Sequence, residues 1–106
     1  MVKKEFTKVI SQSQDDRLRV KIETEKGKVL DMVVQYEAKF EEEWHPIVRY
    51  DCSHGFLHRD IMFPGGKKEK HPLDLPDLNS ALLYAEQDIK DRWSWYRERY
   101  RRRLKR

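Results

Sequence analysis

From Arg17 onward apolar and charged positions alternate: Leu18, Val20 and Ile22 sit between Arg17, Arg19, Lys21 and Glu23. A period of two sends successive side chains to opposite faces, so this segment is a strand buried on one side. "ETEKGK" supplies a Gly-containing turn. A longer strand follows, with Met32, Val34, Tyr36, Ala38 and Phe40 on one face and Val33, Gln35, Glu37 and Lys39 on the other. "EEE" turns the chain into "WHPIVRYD", a third strand. There the alternation sets Trp44, Pro46, Val48 and Tyr50 against His45, Ile47, Arg49 and Asp51, and the proline marks an edge or the start of the strand. "CSHG" leads into a fourth strand, "FLHRDIMF", closed by the turn "PGGKK"; an extended piece around Lys70 to Leu75 adds a fifth. Residues 1–16 end in "SQSQDD" and show no sustained period. They are expected to form a loosely held arm with at most a short strand at Glu5 to Ile10.

The last third changes period. Leu78, Leu82, Ala85, Ile89, Trp93, Tyr96 and Tyr100 fall at steps of three or four, which makes one apolar stripe along a helix. Asp77 or Asn79 is placed to cap its start, and no glycine or proline interrupts it from Leu78 to near the end. Consecutive strands joined by short turns and followed by one helix predict an α+β fold. It is an antiparallel sheet of four to five strands with a long C-terminal helix packed on one face. Residues 17–106 would form this single domain, and no internal repeat is visible.

Charge adds an asymmetry. The formal balance is +4, and from Arg92 to Arg106 the only acidic residue is Glu98 among eight basic ones. Glu, Lys and Arg dominate the polar positions while Asn79 is the only asparagine, a bias seen in proteins from hot environments. The single cysteine, Cys52, excludes an internal disulfide framework and fits a reducing compartment. No apolar run approaches the roughly 20 residues of a membrane span, and the N-terminus lacks the apolar core of a secretion signal. A cytoplasmic protein without cofactor or membrane partner is expected.

The densest chemistry lies in "RYDCSHGFLHRD", Arg49 to Asp60. If Asp51 pairs with Phe56 across a four-residue "CSHG" connection, Arg49 lies opposite His58 and Ile47 opposite Asp60. Arg49, Asp51, His58 and Asp60 then project from the face away from the helix, while Val48, Tyr50, Leu57 and Ile61 project from the other. A slip of one residue would scatter the set. A carboxylate holds a neighbouring histidine in one tautomer and favours its charged form, and an arginine fork binds phosphate. With His54 on the loop as a second acid or base, these are the parts needed to cleave RNA without a metal. Cross-strand Arg, Asp and His pairs also serve structure alone. A metal set of His54, His58 and Asp60 requires the loop to fold back, so no metal is assigned. A Cys52 nucleophile beside His54 lacks an orienting third residue. His45 and His71 lie outside the cluster and are expected at the surface.

The helix end "RWSWYRERYRRRLKR" interleaves aromatics and arginines, a mixture that stacks on bases and neutralises phosphates. Arg97, Arg101, Arg102, Arg103 and Lys105 are the candidate nucleic-acid contacts. Trp93, Tyr96 and Tyr100 belong to the buried stripe, while Trp95 falls off it. A non-enzymatic module that holds nucleic acid or protein is the alternative to an enzyme. The aromatic stripe and an open sheet edge also suit a homo-oligomer.

Between Val33 and Tyr100 the motifs "RYD", "HG", "HRD" and a following "AEQDI" helix resemble a small uncharacterised prokaryotic family, which implies no activity. More distantly, "RYD" followed by histidines, a proline turn and a C-terminal helix resembles the TumE-like toxins, partners of helix-turn-helix antitoxins. That resemblance implies a toxin-like module acting on RNA, with Arg49, Asp51, His54 and His58 at the shared positions. Those toxins usually continue with a proline, paired histidines and a lysine, whereas this chain has "PGGKK".

Overall fold

A computed structural model describes residues 1–52 and 56–104. Six strands come first: β1 (Val2–Val9), β2 (Asp16–Glu25), β3 (Lys28–Phe40), β4 (Glu43–Asp51), β5 (His58–Met62) and β6 (Lys68–Pro72). Helix α1 (Leu78–Leu104) follows. The strands form one antiparallel meander in the order β1-β2-β3-β4-β5-β6. The α+β class and the single helix agree with the sequence pattern; the sheet has six strands where four to five were expected.

The added strand is β1, in the segment expected to be a loose arm. Val2 to Val9 pair residue for residue with Thr24 to Arg17 of β2, although all eight are exposed. A strand that buries neither face has no reason to alternate, so the pattern offered only a short strand at Glu5 to Ile10 where β1 runs from Val2 to Val9. β6 spans Lys68–Pro72 and begins earlier than the piece expected at Lys70 to Leu75.

Tight turns set the meander. Lys26 and Gly27 at φ 51° and 79° join β2 to β3, and Glu41 and Glu42 at 52° and 67° join β3 to β4. Two positive φ values give the turn whose twist matches a hairpin. Only the first turn has a glycine to carry it.

α1 lies across β3 and, less extensively, β4. The predicted stripe is its inner face: Ala85, Ile89, Tyr96 and Tyr100 are buried against Met32, Val34, Tyr36, Val48 and Tyr50. Asp77 is the cap, accepting the Ser80 N–H at 2.7 Å. Asn79 instead ties the helix to the β2–β3 hairpin, accepting from the Val29 N–H at 3.1 Å.

β4 departs from simple alternation. The β3–β4 pairing shifts between Tyr36 and Glu37, so Tyr36 faces Val48 while Glu37 faces Pro46 and Ala38 faces His45. The extra residue, Ile47, is buried, and the bulge swaps the faces beyond it. Trp44 therefore lies on the face away from α1, under the Arg17 guanidinium at 3.9 Å. His45, expected at the surface, turns towards α1 with Nδ1 3.2 Å from the Tyr100 hydroxyl.

Candidate functional site

The predicted cluster assembles, through a register different from the one expected. Asp51 pairs with His58 and Arg49 with Asp60, because the connection runs from Cys52 to Leu57 and β5 starts only at His58. The slip relative to a "CSHG" turn is two residues, which preserves parity. Arg49, Asp51, His58 and Asp60 still share the face away from α1. His54 and the rest of the loop's centre, Ser53 and Gly55, lie outside the described residues.

His58 is the centre of this set and only 2 % exposed, with Asp51 and Asp60 also buried. Its Nε2 lies 3.0 Å from Asp51 Oδ1 and 3.6 Å from Asp60 Oδ2. Its Nδ1 lies 3.4 Å from the Phe56 carbonyl oxygen, and the Phe56 ring leans on the imidazole at 5.4 Å. Arg49 donates to Asp51 Oδ2 at 2.7 Å and to Gln35 at 3.0 Å, while Lys68 approaches Asp60 Oδ2 at 3.5 Å. Gln35 in turn donates to Glu37, which pairs with Arg17 and Arg19. One polar network thus crosses the open face from β2 to β6. Asp60 Oδ1 is buried and, among the described residues, accepts no hydrogen bond.

Cys52 does not resemble an activated thiol. It donates to Asp31 Oδ1 at 2.9 Å, and burial, then that hydrogen bond, push its pKa up. His71 is half-buried on the other face of the sheet, bonded to Arg59 and Glu69.

Two further carboxylates, Asp88 of the "AEQDI" stretch and Asp16, which no motif marks, are clamped between sheet and helix. Asp88 Oδ2 accepts from the Tyr50 and Tyr96 hydroxyls, each at 2.6 Å, with Arg59 at 3.9 Å. Burial, and then the Asp88 hydrogen bond, push Tyr96 up to about 12 and Tyr50 well above the usual tyrosine range. Asp16 accepts from Tyr36 at 2.5 Å and from Arg97 at 3.0 Å. Arg97 also lies over the Phe40 ring at 4.5 Å and donates to the Lys39 carbonyl. A chain-distant pairing of this kind, 81 residues apart in sequence, has no local signature.

The basic helix end divides accordingly. Arg97 is engaged in the core. Arg101 binds Glu98 through two nitrogens, and that hydrogen bond above all holds the Glu98 carboxyl at about 2. Arg102 is exposed, 3.6 Å from Glu98, and Arg103 is exposed, donating to the Arg99 carbonyl and lying over Phe63. Trp95 is 55 % exposed, with Arg92 and Arg99 against its ring. Trp95, Glu98, Arg99, Arg102 and Arg103 line a shallow groove on the outer side of α1. Lys105 lies outside the described residues. Among those described, no helix is long and apolar enough to cross a membrane.

No curated protein and no solved structure matches this chain. Its whole length, residues 1–106, matches one family described as a domain of unknown function, DUF7718, and the chain belongs to that family.

Proposed function

We propose that this protein is a non-enzymatic module that binds single-stranded RNA along the outer face of α1. The observation that carries this is Trp95, the most exposed of the described aromatics, set in a groove whose other walls are Arg99, Arg102 and Arg103. A base stacks on the indole and the guanidiniums neutralise the flanking phosphates. Glu98, the one carboxylate of the groove, is already neutralised by Arg101 and Arg102 and does not repel the strand.

Titration of the protein with a short single-stranded RNA, followed by tryptophan fluorescence, tests this. Trp95→Ala should weaken binding about tenfold or more, in line with about 1–3 kcal/mol per stacked base. The pair Arg102→Glu and Arg103→Glu should abolish it, and affinity should fall steeply with salt. Lys3→Glu with Lys8→Glu makes the same charge change on exposed β1 and should leave most of the affinity. Equal losses from both pairs would mean unspecific attraction and would end the proposal.

The second reading is acid/base cleavage of RNA by Arg49, Asp51 and His58, favoured by the 3.0 Å contact of His58 with Asp51 beside a half-exposed arginine. It comes second because His58 is buried and presents almost no surface to a substrate. Cleavage of RNA in the presence of EDTA, lost in His58→Ala, is the outcome that would promote it.

A further inference from the structure

His58 raises a problem of proton counting. Both ring nitrogens face oxygens that only accept: Nε2 faces Asp51 Oδ1 at 3.0 Å, and Nδ1 faces the Phe56 carbonyl at 3.4 Å. A neutral imidazole has a single N–H, so one of these edges would set lone pair against lone pair. The conflict is removed if the ring carries two protons. It is removed equally if the proton stays on Nδ1, donated to Phe56, and a cation takes its place at Nε2. An imidazole that donates its remote N–H to a carbonyl is the usual partner arrangement of a metal-binding histidine.

Two other observations point the same way. Asp60 is 2 % exposed, yet among the described residues its Oδ1 accepts no hydrogen bond, a costly arrangement for a charged group. Second, one ligating atom from each of Asp51, His58 and Asp60 lies within 4.8 Å of the others. Ligand bonds of about 2.0–2.2 Å to a first-row ion put neighbouring ligand atoms roughly 3–3.5 Å apart. The Nε2 distances are 3.0 Å to Asp51 Oδ1 and 3.6 Å to Asp60 Oδ2, the companion of the donorless Oδ1.

We propose that Asp51, His58 and Asp60 bind a divalent first-row transition ion of the Zn²⁺ or Mn²⁺ class, through His58 Nε2 and one oxygen from each carboxylate. The mixed imidazole and carboxylate donors suit such ions better than Mg²⁺ or Ca²⁺, which take oxygen alone. Arg49, on Asp51 Oδ2, would fix that carboxylate from outside the ligand set. Lys68, half-exposed on β6, is a cation already at Asp60 and competes with the ion. The charged groups around the site are Arg49 and Asp51 on β4, Asp60 on β5, and Lys68 and Lys70 on β6, Lys70 being the cross-strand neighbour of Asp60. The site is separate from the groove on α1 and does not depend on RNA binding.

Full-length protein stripped with EDTA and titrated with Co²⁺ gives the test. Expected are visible absorption bands saturating at one ion per chain and displaced by Zn²⁺, and a higher Tm with Zn²⁺. His58→Gln and Asp60→Asn should each lose at least tenfold in affinity, while His71→Gln binds as wild type. Should either buried variant fail to fold, Lys68→Ala at a half-exposed position provides the check: it should bind several-fold more tightly. The proposal is overturned by wild type without bands or Tm rise, by undiminished binding in folded His58→Gln and Asp60→Asn, by loss of binding in His71→Gln, or by unchanged or weaker binding in Lys68→Ala.

Discussion

Asp88 and Asp60 are both carboxylates withdrawn from water, on opposite sides of the same sheet, and their surroundings differ in kind. Around Asp88 the partners are neutral hydroxyls and arginines: two tyrosines donate to one oxygen, and Arg92 lies 3.5 Å from the other. Asp60 has a histidine, a half-exposed lysine and one oxygen with no donor. The first arrangement gives each oxygen of Asp88 a partner and locks α1 to β4, whereas the second leaves one oxygen of Asp60 without a donor among the described residues. A buried polar group whose bonds are complete is explained by the fold, and one left incomplete asks for a ligand.

The comparison makes its strongest prediction about paired substitutions. Asp88→Asn removes the charge that holds two tyrosine hydroxyls and Arg59, and should cost about 3 kcal/mol in urea unfolding. Asp60→Asn, in metal-free protein, should cost about 1 kcal/mol or less, since it removes a charge that is poorly supported. Equal costs would erase the distinction between the two sides.

Alkaline pH tests the helix side alone. Tyr36, Tyr50 and Tyr96 have folded pKa values above the ordinary 10.0, Tyr96 at about 12. Above pH 10 the unfolded chain has lost protons that the folded one keeps, so unfolding is favoured progressively as pH rises. Their stabilisation is complete below about pH 10 and should be lost between that pH and 12 and beyond. Absorbance near 295 nm should show these phenols ionising together with the loss of helical circular dichroism. Titration of all five tyrosines near pH 10 with the helix intact would contradict the clamps.

The smallest effect lies away from both regions. Glu42 holds a φ of 67° in the β3–β4 turn, a left-handed conformation that a side chain resists. Glu42→Gly should stabilise the protein by about 0.5–1 kcal/mol without altering RNA or ion binding, and thermal unfolding reads the gain.

Local pattern carried the strands from Arg17 onward, the helix and its buried stripe, because each buries one face and its period survives in the sequence. It did not carry β1, whose stability comes from hydrogen bonds to β2 rather than from burial. Nor did it show the bulge at Ile47, since inserting one residue leaves both halves of β4 alternating and only changes which face each half uses.

Alternation along the chain was enough to put Arg49, Asp51, His58 and Asp60 on one face: it survives any even shift of register, so a difference of two residues left the set intact. Packing in three dimensions is what buries His58 between two carboxylates, leaves Asp60 an oxygen without a donor among the described residues, and sets Arg97 on Asp16 and Phe40 while Arg102 and Arg103 stay exposed. Those outcomes depend on what packs against each residue from distant parts of the chain, and no local period encodes that.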